Sequence, residues 1–260
     1  MTWCAGWFDK TLMNLFNGCR WKGSFAVLAA AGWLILASPA ARAQALAVLP
    51  VNIFLAPGQS AASLTVTNKG TTETSIQIRP FVWDQPSGED RLDATDVLVL
   101  SPPITTIAPG ATQVVRLILR KPPQDREATY RILIDQIPPP AEPGIVHVVL
   151  RLSIPIFAQP LTRAVSHVQF HVESDAGQLY LVGSNDGLRH ETIRDIELST
   201  SDGAKYTTDR GVSPYILAGV TRRWHIAGPG SLPKPGDTLQ LAAHADSGPI
   251  KEQLVVAGKP

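Results

Sequence analysis

The 260-residue chain carries 23 Lys and Arg against 22 Asp and Glu, with only two cysteines. That balance argues against a nucleic-acid partner. Both cysteines, Cys4 and Cys19, fall in a segment that reads as an export signal, so the exported chain is neither a disulfide scaffold nor a thiolate metal protein.

The signal reading rests on Lys10, Arg20 and Lys22 ahead of the apolar run Phe25 to Ala37, with small residues following as Ala41-Arg42-Ala43. Cleavage is expected between Ala43 and Gln44, and Met13 is an alternative start to Met1. The apolar run is shorter than the roughly 20 residues that a membrane span needs, so no membrane insertion is expected after the signal is removed. Removing residues 1–43 leaves 217 residues with 19 basic and 21 acidic side chains, a net charge of −2. That length fits two domains of roughly 100 residues each.

Along the chain, short runs of Val, Ile, Leu and Thr alternate with polar residues and are punctuated by Pro, Gly, Asn and Asp. Leu64 and Val66 share one face of Ser63 to Thr67. Val115, Leu117 and Leu119 share one face of Gln113 to Arg120, with Arg116 and Arg120 opposite. Tyr130 to Ile137 and Ile145 to Phe157 follow, with Pro138-Pro139-Pro140 and Pro143-Gly144 as the turn between them. The first half counts out as about seven strands, the number for an immunoglobulin-like sandwich. After Gln159-Pro160 come shorter expected strands at Val165–Val172, Leu179–Val182, Ile193–Leu198, Tyr215–Leu217, Leu239–Ala242 and Gln253–Val256, a second and smaller sandwich. The predicted fold is all-β, two immunoglobulin-like β-sandwich domains in an L-shaped arrangement. Residues 44–159 and 160–260 are the domains, without a Gly/Ser linker at the joint.

No phosphate-binding glycine loop, G-x-S-x-G elbow, H-E-x-x-H or cysteine nucleophile is present, so nothing argues for an enzyme, a cofactor or a metal. His167 and His171 are separated on an expected strand by roughly 13 Å, too far for one ion, and read as solvent-face residues. Asp84, Glu89, Asp90, Asp93 and Asp96 lack the alternation of a calcium loop and read as a solvated hairpin.

The segment Ile145 to Phe157 stands apart. Val146, Val148, Leu150, Leu152, Ile154 and Ile156 give one uninterrupted apolar face, on a run about twice the usual 5–6 residues. Pattern alone fits a central core strand. It also fits an apolar sheet edge kept for β-augmentation, in which backbone bonds supply affinity and alternate side chains fill a partner's pockets.

Four stretches resemble a known family, the PapD-like periplasmic chaperones of the chaperone/usher pathway. They are Val51 to Gly58; Ala62 to Asn68 leading into Ile76 to Trp83; Pro109-Gly110 ahead of Val114 to Leu117; and Tyr130 to Ile137 running into Pro138-Pro139. The resemblance implies a periplasmic protein with no catalysis, whose partners are pilus subunits and an outer-membrane usher. It also implies that Val146, Val148, Leu150, Leu152 and Ile154 form a strand donated to a subunit lacking one. Better-studied members grip the client's terminal carboxylate with an Arg and a Lys where this chain has Asn52 and Pro155. Arg151, Arg79 and Arg116 are the alternative anchors, by bidentate charged pairing. The family's interdomain ion network finds its acidic member in Glu127, while Gln159 stands where its arginine would be. The short connection from Pro138 to Gly144 and the missing anchor suggest the divergent branch called archaic, with spore-coat-like subunits as clients. The alternative reading is a structural surface or pilus component built of two immunoglobulin-like domains.

Overall fold

The computed structural model describes residues 46–140, 143–144, 148–209, 213–228 and 230–258. The expected signal segment 1–43 lies outside them, as do Val146 and His147 of the expected donor strand. The only helical turn among the described residues is a 3-10 turn at Pro86–Gly88.

The first sandwich is built from β1 (Leu46–Leu49), β2 (Ile53–Leu55), β3 (Ala61–Asn68), β4 (Thr74–Asp84), β5 (Arg91–Ala94), β6 (Leu98–Ser101), β7 (Ile104–Ile107), β8 (Thr112–Leu119), β9 (Ala128–Ile137) and β10 (Arg151–Ala158). One layer runs β1-β3-β8-β6, and the other runs β2-β10-β9-β4-β5 with β7 also on β4. Ten segments replace the expected seven partly because the first strand is split. β1 pairs with β3 in one layer, and after Pro50 to Asn52 the chain continues as β2 beside β10 in the other. The period-2 pattern turns Leu64, Val66, Val115, Leu117 and Leu119 inward from one layer, where they meet Ile76, Ile78, Ile132, Ile134, Ile154 and Ile156 from the other.

The second sandwich contains β11 (Val168–Asp175), β12 (Gln178–Asn185), β13 (Glu191–Ser199), β14 (Lys205–Thr208), β15 (Tyr215–Ile216), β16 (Val220–Ala227), β17 (Thr238–Ala245) and β18 (Gly248–Gly258). Its strands run β14-β16-β12-β11-β18-β17-β13-β15, and a further β14–β13 pairing closes the sheet on itself around Val172, Leu181, Trp224, Ile226, Leu239 and Leu241. The sequence pattern misses β14 and β16. In β16 the alternation Val220, Arg222, Trp224, Ile226 places an arginine at an inward position.

A third, smaller cluster joins the sandwiches: Trp83 and Phe157 from the first pack against Leu217 of the second. Gly88 shows how close the approach is. Its φ is +84°, and a Cβ there would lie 2.9 Å from the Thr221 carbonyl oxygen of β16, so glycine alone fits.

Candidate functional site: an open strand edge and the junction beneath it

β10 lies antiparallel to β9 along its whole length, Arg151 opposite Asp135 and Ala158 opposite Ala128. On its other side β2 covers only Ile156 to Ala158. Among the described residues, Arg151 to Pro155 therefore have a partner strand on one side only. The Gln136 amide donates to the Leu150 carbonyl at 2.9 Å, which sets the phase of the ladder: even residues of β10 bond to β9, and odd residues turn their backbone groups to the open edge. Arg151 and Ser153 thus present free N–H and C=O groups. Pro155, which has no N–H, sits on that side because no ladder bond is lost there.

The strand is shorter than the sequence pattern predicts. It begins at Arg151, and Val148, Val149 and Leu150 precede it. The register explains why: continued outward, it sets Val148 opposite Pro138, the first of three prolines that offer no donor. Leu150 is held at the boundary, its amide donating to Gln136 Oε1 at 3.2 Å. The apolar side chains fall into two groups as a result. Ile154 is buried in the core and Leu152 packs half-buried against it. Val148 is 84% exposed and lies beyond the chain's own packing, and Leu150 is half-buried.

Of the three arginines, the structure brings two together. Arg79 of β4 and Arg151 of β10 flank Asp135 of β9: Arg79 Nη2 donates to one carboxylate oxygen at 2.7 Å, and Arg151 Nε donates to the other. Burial pushes the Asp135 carboxyl up, but the hydrogen bonds and charges of Arg151 and Arg79 outweigh it and hold the group below its ordinary value. The triad keeps one net positive charge beside the open edge. Arg116 belongs to β8, in the opposite layer, on an exposed face away from both.

At the junction beneath the edge, Glu127 and Gln159 have different partners. Gln159 contributes a backbone bond to Leu55 and does not answer Glu127. Instead Oε1 of the buried Glu127 accepts from the His190 amide at 3.0 Å and lies 2.6 Å from His190 Nδ1, while Arg189 Nε stands 4.0 Å from Oε2. The His190 ring stacks on Phe157 at 3.6 Å. Gln85 of the first sandwich donates to the Tyr215 carbonyl at 3.0 Å and accepts from the Leu217 amide at 3.0 Å. Asp90 lies 3.5 Å from both Arg131 of the first sandwich and the buried Arg222 of the second. Burial lowers the pKa of both guanidiniums, partly offset by Asp90. Arg131 also covers the Trp83 ring at 3.9 Å and donates to Ser153 Oγ at 3.2 Å, so one side chain spans the junction and the open strand.

The remaining candidates disperse. His167 faces Asp186, whereas His171 lies 3.8 Å from Glu173. Asp84 and Asp93 pair with Arg91, and Asp96 lies 3.8 Å from Arg120.

Comparisons with known proteins fit this geometry. Residues 45–163 match the PapD N-terminal domain of pili and flagellar-assembly chaperones. A Bordetella pertussis protein named chaperone protein FimB/FhaD is 30% identical over 145 residues, covering 52% of this chain and 57% of its own length. This chain thus spans little more than half of that relative. The chaperone–tip subunit complex CsuC–CsuE, from archaic chaperone-usher Csu pili of Acinetobacter baumannii, gives a TM-score of 0.60 at 20% identity, over 83% of this chain and 100% of the matched one. The SafA pilin–SafB chaperone complex of Salmonella enterica gives 0.56 at 15% identity, over 83% and 98%. At such identities the likeness speaks for the fold, which is the two-sandwich fold of the pilus chaperones.

Proposed function

We propose, from the match of residues 45–163 to the PapD N-terminal domain, that the exported chain is a periplasmic chaperone that lends the edge of β10 to unfinished pilus subunits. The observation that carries this reading is the half-open edge itself: Arg151 to Pro155 are fixed by β9 yet unpaired on the other side, with the exposed Val148 ahead of them. A subunit that lacks a strand exposes a hydrophobic groove and unpaired backbone groups, both costly in water. A rigid edge with alternating apolar side chains answers both.

In this reading Val148 and Leu150, with Val146 before them and the half-buried Leu152 after, fill the groove, whereas Ile154, buried in the chain's own core, takes no part. Each buried side chain contributes roughly 1.5–3 kcal/mol before ordering costs. The Arg79–Asp135–Arg151 triad grips the client's terminal carboxylate, and Arg116 has no part in it. Residues 1–43 act as the export signal, 44–159 form the client-binding domain and 160–260 the second domain. An outer-membrane usher takes over the loaded subunit, and no catalytic step is assigned. The likeness to the Csu complex favours an archaic-type client.

The test is co-expression of the exported chain with pilus subunits of the same genome. A stable periplasmic complex is expected with the unmodified chain, and none with Leu150→Asp. Capture that survives Leu150→Asp rules out strand donation.

A further inference from the structure

The open edge of β10 stops where β2 starts, and β2 is the continuation of β1. Among the described residues, β1 is the outermost strand of its layer and pairs with β3 alone. β2 runs parallel to β10 with Ile53 opposite Ile156. Carried backward, that register sets Val51 opposite Ile154, Leu49 opposite Leu152 and Val48 opposite Arg151. Neighbours in a sheet share a face, so on β10 Val51 and Leu49 would cover the core-side residues Ile154 and Leu152. Leu49 and Val51 are 66% and 61% exposed, among the most exposed large apolar side chains described.

The backbone matches as well. The Gln159 amide donates to the Leu55 carbonyl, so each odd residue of β10 donates to the residue before its opposite number and accepts from the one after. Continued along the open edge, this pattern joins Ser153 N–H to the Leu49 carbonyl and Ser153 C=O to the Val51 amide. The Arg151 carbonyl falls to the Leu49 amide. Pro50, the residue without a donor, is not called upon.

We propose that residues 47–52 are a self-capping strap that exchanges between β3 and the open edge of β10. The exchange is balanced in kind. On β3 the strap buries Val48 while exposing Leu49 and Val51; on β10 the one-residue change of face reverses those roles. Two packings of similar content are the basis of a two-state element. The capped form shields an apolar edge that would otherwise template aggregation, and a strand arriving from a partner has to displace it.

The inference concerns the free chain, so it is tested without a client and fails independently of the proposed function. Val48 and Val66 are opposite each other on β1 and β3. An oxidised Val48→Cys/Val66→Cys pair therefore holds the strap on β3, across a spacing that suits a disulfide. Amide hydrogen exchange at Arg151 and Ser153 is expected to be at least twofold faster in the oxidised variant than in its reduced form. Val51→Asp, at an exposed position that the open fold tolerates, is expected to give the same acceleration because a carboxylate cannot lie over Ile154. Unchanged exchange on oxidation overturns the proposal, as does unchanged exchange in Val51→Asp.

Discussion

The two sandwiches each contain a half-open strand, and only one is suited to a partner. β10 is covered on its second side through Ile156 to Ala158, and β18 through Val256 to Gly258, in both instances by a parallel neighbour over three residues. In β18 the Val256 amide bonds to the Asp237 carbonyl, so there too the odd residues face the open side. The side chains differ. The open stretch of β18 carries Pro249, Lys251 and Gln253, residues that blunt an edge, and then the exposed Val255; the matching positions of β10 carry Arg151, Ser153 and Pro155, so the difference lies in what precedes the strand. The open stretch of β10 leads into Val148, Val149 and Leu150. Topology thus creates the opportunity twice, and side-chain chemistry decides where it is used.

That contrast is exposed to direct attack. The largest expected effect is at Val148: Val148→Asp should lower subunit capture by about 100-fold or more, the loss of one buried side chain together with the cost of a carboxylate in an apolar groove. Val255→Asp, at an exposed position of β18, should leave capture unchanged in the same pull-down. Equal losses would mean that the two edges are equivalent. A smaller effect is expected from removing the guards. Pro249→Val with Lys251→Val should produce concentration-dependent self-association in sedimentation, and a monomer at all concentrations would show that those residues do not protect the edge.

The smallest effect concerns Asp135, which has no counterpart on β18. Its folded pKa lies below the ordinary value, so its stabilising contribution is full above about pH 4 and is lost as pH falls through the folded value. Asp135→Asn should cost roughly 1 kcal/mol at neutral pH, allowing for the screening of its exposed arginine partners. Denaturant titrations of the two chains should converge below about pH 4; a constant gap would remove the ion pairs from the account.

What the sequence made legible follows from locality. β3 and β8 are readable because each inward residue is apolar and each outward one polar. β16 is not, because Arg222 is held inside by the Tyr215 carbonyl and by Asp90 from the other sandwich, the latter more than a hundred residues away. The apolar face that begins at Val146 is visible in the sequence, but where its ladder starts depends on Pro138 to Pro140 across a register that only pairing reveals. Arg79 and Arg151 meet at Asp135 because β4, β9 and β10 share a layer that excludes Arg116 of β8, and His190, which meets Glu127, comes from the other sandwich. One repeated device was in plain view and unread. Asn68 and Asn185 each end an eight-residue strand, accept from the glycine two residues on and donate to the carbonyl four residues on.

The most direct test is amide exchange measured on the chain alone and in a purified complex with a subunit. Donation of β10 predicts strong protection of the Arg151 and Ser153 amides in the complex, with the Lys251 and Gln253 amides of β18 unchanged. Protection appearing at β18, or at neither edge, would contradict the account.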